Sequence, residues 1–322
     1  MKFNLRPEKP LHWFLFASVL LSLVLWVRFW LLPEPDMPAT RGLGSTRQQM
    51  IGELSAADNQ QTLASRVQER QLRKLTGRFH EAWERQDQAT AESILAELQQ
   101  QFPEHSAVLV DQALFQLLQS KNVSQAAQSF HRLMERSRQT GHDPSRLMTA
   151  IIALIEQAEM WEAGQLFLSE LADLQGGLTA NAQLAMGRFL FYDEKYQQAM
   201  LVLNEIQQNS KQKDNDVLAQ ALVTQILMSL GDTEGAIVLF KQTEHALEQK
   251  ITERMRRGDD VAGLAKEMEG LQFYMAEQLV AVNFYADAEM IVLKLAKKFP
   301  AHPDVVKLLD QIRLYKLEVG AG

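Results

Sequence analysis

An alanine followed four residues later by a large apolar side chain recurs six times along this chain. The pairs are Ala91 with Leu95, Ala126 with Phe130, Ala163 with Phe167, Ala199 with Leu203, Ala236 with Phe240 and Ala288 with Val292. Their successive spacings are 35, 37, 36, 37 and 52 residues. Residues four apart share one helix face, so each pair marks a helix that turns a small and a large side chain the same way. A period in the mid-thirties leaves room for two short helices per unit. Such a unit cannot bury its apolar face alone, so successive units must stack. The fold class that follows is all-α, an α-solenoid of about six helical hairpins.

The clearest unit runs from Asn181 to Gln207. Ala185, Phe189 and Tyr192 fall on one helical face, and the polar run Asp193-Glu194-Lys195 interrupts it. Tyr196, Ala199, Met200, Leu203 and Ile206 then form a second stripe at helical spacing. Gly187 and Ala199 are both small, which predicts a close crossing of the two helices between them. These phrases resemble the tetratricopeptide repeat. The family's small residue late in the first helix is matched by Gly187 and Ala276. Its alanine early in the second helix is matched by Ala91, Ala199, Ala236 and Ala288. Its closing proline is matched by Pro103 and Pro300. The resemblance covers roughly 230 of the 322 residues. No unit carries the tryptophan that the family often shows early in its first helix.

The repeat-like body extends over 61–322. Its fifth gap holds a helical insertion at about 241–272, rich in strong helix formers and broken near Gly258-Asp259-Asp260. The hairpin so formed is either a partner contact or a spacer. His302-Pro303 opens a last helix whose face of Val305, Leu308, Leu309 and Ile312 is expected to cap the open end, as a solenoid requires.

The start of the chain is different in kind. Residues 1–10 carry Lys2, Arg6 and Lys9. Residues 11–32 are mostly apolar, carry Arg28 as their only charge and are long enough to span a bilayer. Trp13, Trp26 and Trp30 sit near the ends of that stretch, where interfacial aromatics belong. An uncleaved signal anchor fits best; a cleaved signal peptide lacks an A-x-A site, and a core helix would not need the aromatic ends. Basic residues before the span place residues 1–10 in the cytoplasm and the body outside, which in a bacterium means the periplasm. Residues 33–60 read as a linker, Pro- and Gly-rich over 33–48.

Composition narrows the chemistry. There are no cysteines, so disulfides and thiolate metal sites are excluded. Without Lys2, Arg6, Lys9, Arg28 and Glu8, the 33 basic and 40 acidic residues fall to 29 and 39, a net of −10. So acidic a body is a poor partner for nucleic acid. No two histidines stand four apart on a helix, and neither a Walker-type phosphate loop nor a G-x-S-x-G elbow occurs. No catalytic, cofactor-binding or metal-binding residue is therefore nominated, and no cofactor is expected. Carboxylates such as Glu156 and Glu170 read as solvated helix faces.

What remains is a groove. In the resembled family the first helices line a concave, peptide-binding face. Carried over on Gly187, Thr224 and Ala276, that face holds Leu184, Arg188, Phe191, Gln225, Met228, Phe273 and Glu277. The mixture of apolar and polar groups suits a protein or peptide partner. The expected role is a non-enzymatic, membrane-anchored scaffold or assembly factor for an envelope complex. The alternative is a translocon-associated periplasmic chaperone that holds unfolded clients.

Overall fold

The computed structural model describes residues 50, 63–103, 105–141, 143–209 and 213–320. Within them the chain is all-helical, with thirteen helices and no strand. The expected tail 1–10, bilayer span 11–32 and, Met50 apart, linker 33–60 lie outside the described residues. Among the described residues no helix is long and apolar enough to cross a membrane.

The first twelve helices form six consecutive pairs. They are α1 (Leu63–Glu84) with α2 (Gln88–Gln101), α3 (Ser106–Leu118) with α4 (Val123–Gln139), and α5 (Ser145–Gln157) with α6 (Trp161–Gln175). Next come α7 (Ala180–Tyr192) with α8 (Tyr196–Asn209), α9 (Lys213–Ser229) with α10 (Thr233–Arg257), and α11 (Ala262–Ala281) with α12 (Tyr285–Lys298). A last helix, α13 (Pro303–Gly320), follows.

All six pairs close with one kind of turn. Gln86, Lys121, Glu159, Glu194, Gly231 and Asn283 each adopt positive φ, between 51° and 83°. In five of the six, the next residue's N–H donates to the carbonyl five residues back, as Asp87 does to Ala82 and Met160 to Ile155. This is the Schellman closure, which satisfies carbonyls left over at a helix end. The second helix then begins at once, and in three pairs a side chain caps it. Asp87 accepts from the Thr90 N–H, Asn122 from Gln125 and Asp232 from Gly235. Those bonds from Thr90 hold the Asp87 carboxyl below its ordinary range.

The repeated turn gives a common register. Five residues beyond the left-handed position stand Ala91, Ala126, Gly164, Ala199, Ala236 and Ala288, all buried. The expected Ala163 is therefore one residue out of step, and it is only partly buried. A Cβ on Gly164 would lie 2.7 Å from Ile155 and from the Phe189 ring, so no larger residue fits that point. Nine residues beyond the turn come Leu95, Phe130, Leu168, Leu203, Phe240 and Val292, again all buried. The expected close crossing of α7 and α8 is present at Gly187, where the nearest side chain is Leu203: a Cβ on Gly187 would lie 2.6 Å from it.

Packing passes from pair to pair along the stack. Phe130 of α4 meets Phe167 of α6 edge-on at 5.6 Å, and α6 lies against α4 more than against its own partner α5. Helix α3 is buried almost all round, Asp111 and Gln112 included. Met50 is fully buried in the same cluster as Leu109, Val110 and Leu114. Helices α10 and α11, at 25 and 20 residues, outrun every other helix but α1, which has 22. Their protruding ends are seated by a small cluster of Val217, Leu247 and Leu264. Helix α13 lays Val305, Leu308 and Ile312 on the last pair.

Candidate functional site

The connection between the long helices α10 and α11 does more than project. It folds against the face made by the first helices and borders an open recess of about 720 Å³. Helices α5 and α7 form two matching walls. Thr149, Ile152, Ala153 and Glu156 line one, and Asn181, Leu184, Ala185 and Arg188 the other. Each set falls at i, i+3, i+4 and i+7, one stripe of a helix. Each reads polar, apolar, alanine, charge. Asn215 and Leu218 of α9 continue the surface, and Arg254 of α10 with Leu264 and Glu267 of α11 borders it from the long helices.

Arg188 is the electrostatic centre. Its Nη1 donates to Glu156 Oε1 at 3.4 Å, and its Nη2 donates to Glu267 Oε1, 79 residues away in sequence. The side chain is 27 % exposed. Burial alone would work against the charge, but Glu267 and then Glu156 more than offset it and hold the guanidinium pKa above its ordinary value. Beside the pair, Asn215 Nδ2 donates to Asn181 Oδ1 at 3.0 Å. Arg254 donates to the Asp260 carbonyl at 3.3 Å.

Of the seven groove residues named from the sequence, the recess gathers Leu184 and Arg188. Phe191 turns to an aromatic group at the α7–α8 turn, 5.3 Å from Tyr192 and 5.8 Å from Tyr196. Gln225 is half-buried, and its carbonyl accepts from the Tyr274 hydroxyl at 3.2 Å. Met228 is core, 6 % exposed and clustered with Leu279. Phe273 lies between Phe299 and His302, at 6.0 and 5.0 Å. Glu277 is exposed on α11. Glu156, Asn181, Asn215, Arg254 and Glu267 were not foreseen. Glu156, taken as a solvated face, is a partner of Arg188; Glu170, taken likewise, accepts from Ser124 Oγ at 3.2 Å.

The opposite face carries a different pattern. Seven residues past the turn, Leu166, Leu201, Val238 and Met290 occupy one register position in four successive second helices, each more than half exposed. The first two pairs have Ser93 and Gln128 there. Among the described residues no group of three His, Asp or Glu is arranged to hold a metal ion.

Compared with known proteins, the chain matches no protein-family model and no curated protein.

Proposed function

We propose that this chain is a membrane-anchored interaction scaffold of tetratricopeptide-like build, whose recess on the first helices holds a segment of a partner protein. One observation carries the proposal: the two matched stripes on α5 and α7 face a common space of about 720 Å³. That volume lies in the range of ligand-binding pockets. The recess lining mixes apolar groups such as Ile152 and Leu218 with charged and amide side chains, which suits a peptide that brings both. Residues 11–32 supply the anchor, with the body outside the cytoplasm, and an envelope complex is the natural client of such an arrangement.

The exposed apolar ladder on the second helices favours a second role, as a chaperone that shields unfolded clients. Leu201 and Met290 are each more than half exposed in equivalent places, and apolar residues repeated on an exposed face favour contact with other chains. One experiment separates the two. A photo-crosslinking amino acid is placed at Ala153 in the recess, or at Leu201 on the ladder, in the full chain in its native membranes. A discrete adduct from Ala153 supports the scaffold. A heterogeneous smear from Leu201, with none from Ala153, supports the chaperone and removes the recess.

A further inference from the structure

We propose that the recess recognises a carboxylate-bearing apolar segment of a partner protein, and that Glu267 holds the place of that carboxylate in the free chain. The inference rests on the recess being a partner site.

Arg188 presents five N–H donors in a planar fork. Among the described residues it uses one toward Glu156 and one toward Glu267, and the former is long at 3.4 Å. A guanidinium on the wall of an open recess therefore keeps donors to offer. A fork of this kind is matched best by a carboxylate, which takes two parallel N–H bonds.

Glu267 is the more exposed of Arg188's two partners. It arrives from the long helix α11, and its side chain is 41 % exposed against 32 % for Glu156. Partly exposed pairs are screened by water and contribute roughly 0–1 kcal/mol. A competing carboxylate that also lays apolar groups on Ile152, Ala153 and Leu218, which keep surface open to the recess, has more to gain than Glu267 does.

Charge settles which kind of segment fits. Arg188 faces the Glu156 and Glu267 carboxylates across the recess. When Glu267 swings out, the guanidinium loses one of these two carboxylate partners. The vacated place beside Arg188 is complementary to a carboxylate and unwelcoming to a positive charge. A partner's Asp, Glu or terminal carboxylate thus replaces Glu267 rather than adding to it.

The test uses the full chain in detergent micelles and two fluorescein-labelled octapeptides, one alternating Leu and Glu, the other Leu and Gln. Fluorescence anisotropy reads binding. Glu267→Gln removes the competitor without removing volume and is expected to tighten the Glu peptide about tenfold, the scale of one charge-pair coupling. Arg188→Gln is expected to abolish that binding, with circular dichroism confirming helicity, and the Gln peptide is expected to bind weakly throughout. Unchanged or weaker binding by Glu267→Gln overturns the inference. So does equal binding of the two peptides; if Ala153→Trp then expels both, the recess stands as a partner site and only its carboxylate preference falls. Absence of binding by every variant overturns both.

Discussion

Gly164 of α6 runs so close to Phe189 of α7 that a Cβ on the glycine would stand 2.7 Å from the ring. The same Cβ would meet Ile155 at 2.7 Å, and Phe189 is fully buried, so neither neighbour has room to withdraw. Gly164→Ala is expected to destabilise the chain by about 1–2 kcal/mol, because overpacking outweighs the gain in helix propensity. Gly77 of α1 and Gly270 of α11 have open space around them. There alanine is expected to stabilise by about 0.5–1 kcal/mol. Chemical denaturation followed by circular dichroism reads the opposite signs; a stabilised Gly164→Ala would mean that α6 and α7 do not pack this closely.

Five of the six hairpin turns place a non-glycine residue at positive φ. An L side chain there sets Cβ against the following carbonyl, at roughly 1–2 kcal/mol. Glu159→Gly and Glu194→Gly are each expected to raise stability by about 0.5–1 kcal/mol, part of the relief being offset by glycine's extra freedom when unfolded. Gly231→Ala is expected to lower it by about 1 kcal/mol. Thermal melts of the three variants check both directions.

The all-helical class was legible because the apolar stripes keep a period near 3.6 and the small residues keep a period in the mid-thirties. The third unit slipped because Ala163 and Gly164 are neighbours and both small. On a helix they point about 100° apart, and only the closeness of Phe189 decides between them. Leu184 and Arg188 were found because they follow from Gly187 on the same helix. Their counterparts were not, for a physical reason. The recess does not keep one register across the stack, and part of its wall is borrowed from the long helices α10 and α11. An ion pair spanning 79 residues leaves no periodic trace. Met228 failed as a groove residue because it packs with Phe240, Leu271 and Leu279 of the neighbouring helices in a common core.

Tyr274 gives the fold an alkaline limit. Its hydroxyl donates to the Gln225 carbonyl at 3.2 Å and lies 2.9 Å from Ser229 Oγ, tying α11 to α9. Burial, foremost, raises its pKa above the ordinary 10.0. A group with a raised folded-state pKa stabilises below its unfolded value, and that contribution disappears as pH climbs through the folded one. Stability is therefore expected to hold up to about pH 10 and to fall beyond it. Tyr274→Phe loses the hydroxyl bonds at neutral pH but removes this alkaline component. Melting temperatures of the two proteins between pH 9 and 12 should converge; a constant gap would show that the hydroxyl does not titrate into the range.

Glu244 of α10 is buried, and both of its oxygens are engaged. Oε1 accepts from Gln272 of α11 and Oε2 from Lys294 of α12, each at 2.7 Å. One carboxylate thereby joins three consecutive helices. Truncating the lysine leaves a buried charge with half its partners, whereas the lysine itself is half exposed and is easily hydrated when freed. Lys294→Ala is accordingly expected to cost about 1–3 kcal/mol, the desolvation penalty of an under-satisfied buried group. Adding Glu244→Gln to that background neutralises the stranded group, since its amide oxygen still accepts from Gln272. The double variant is expected to be more stable than Lys294→Ala alone, with a coupling of about 0.5–3 kcal/mol in the cycle. Strict additivity would mean that water, rather than Lys294, satisfies the carboxylate.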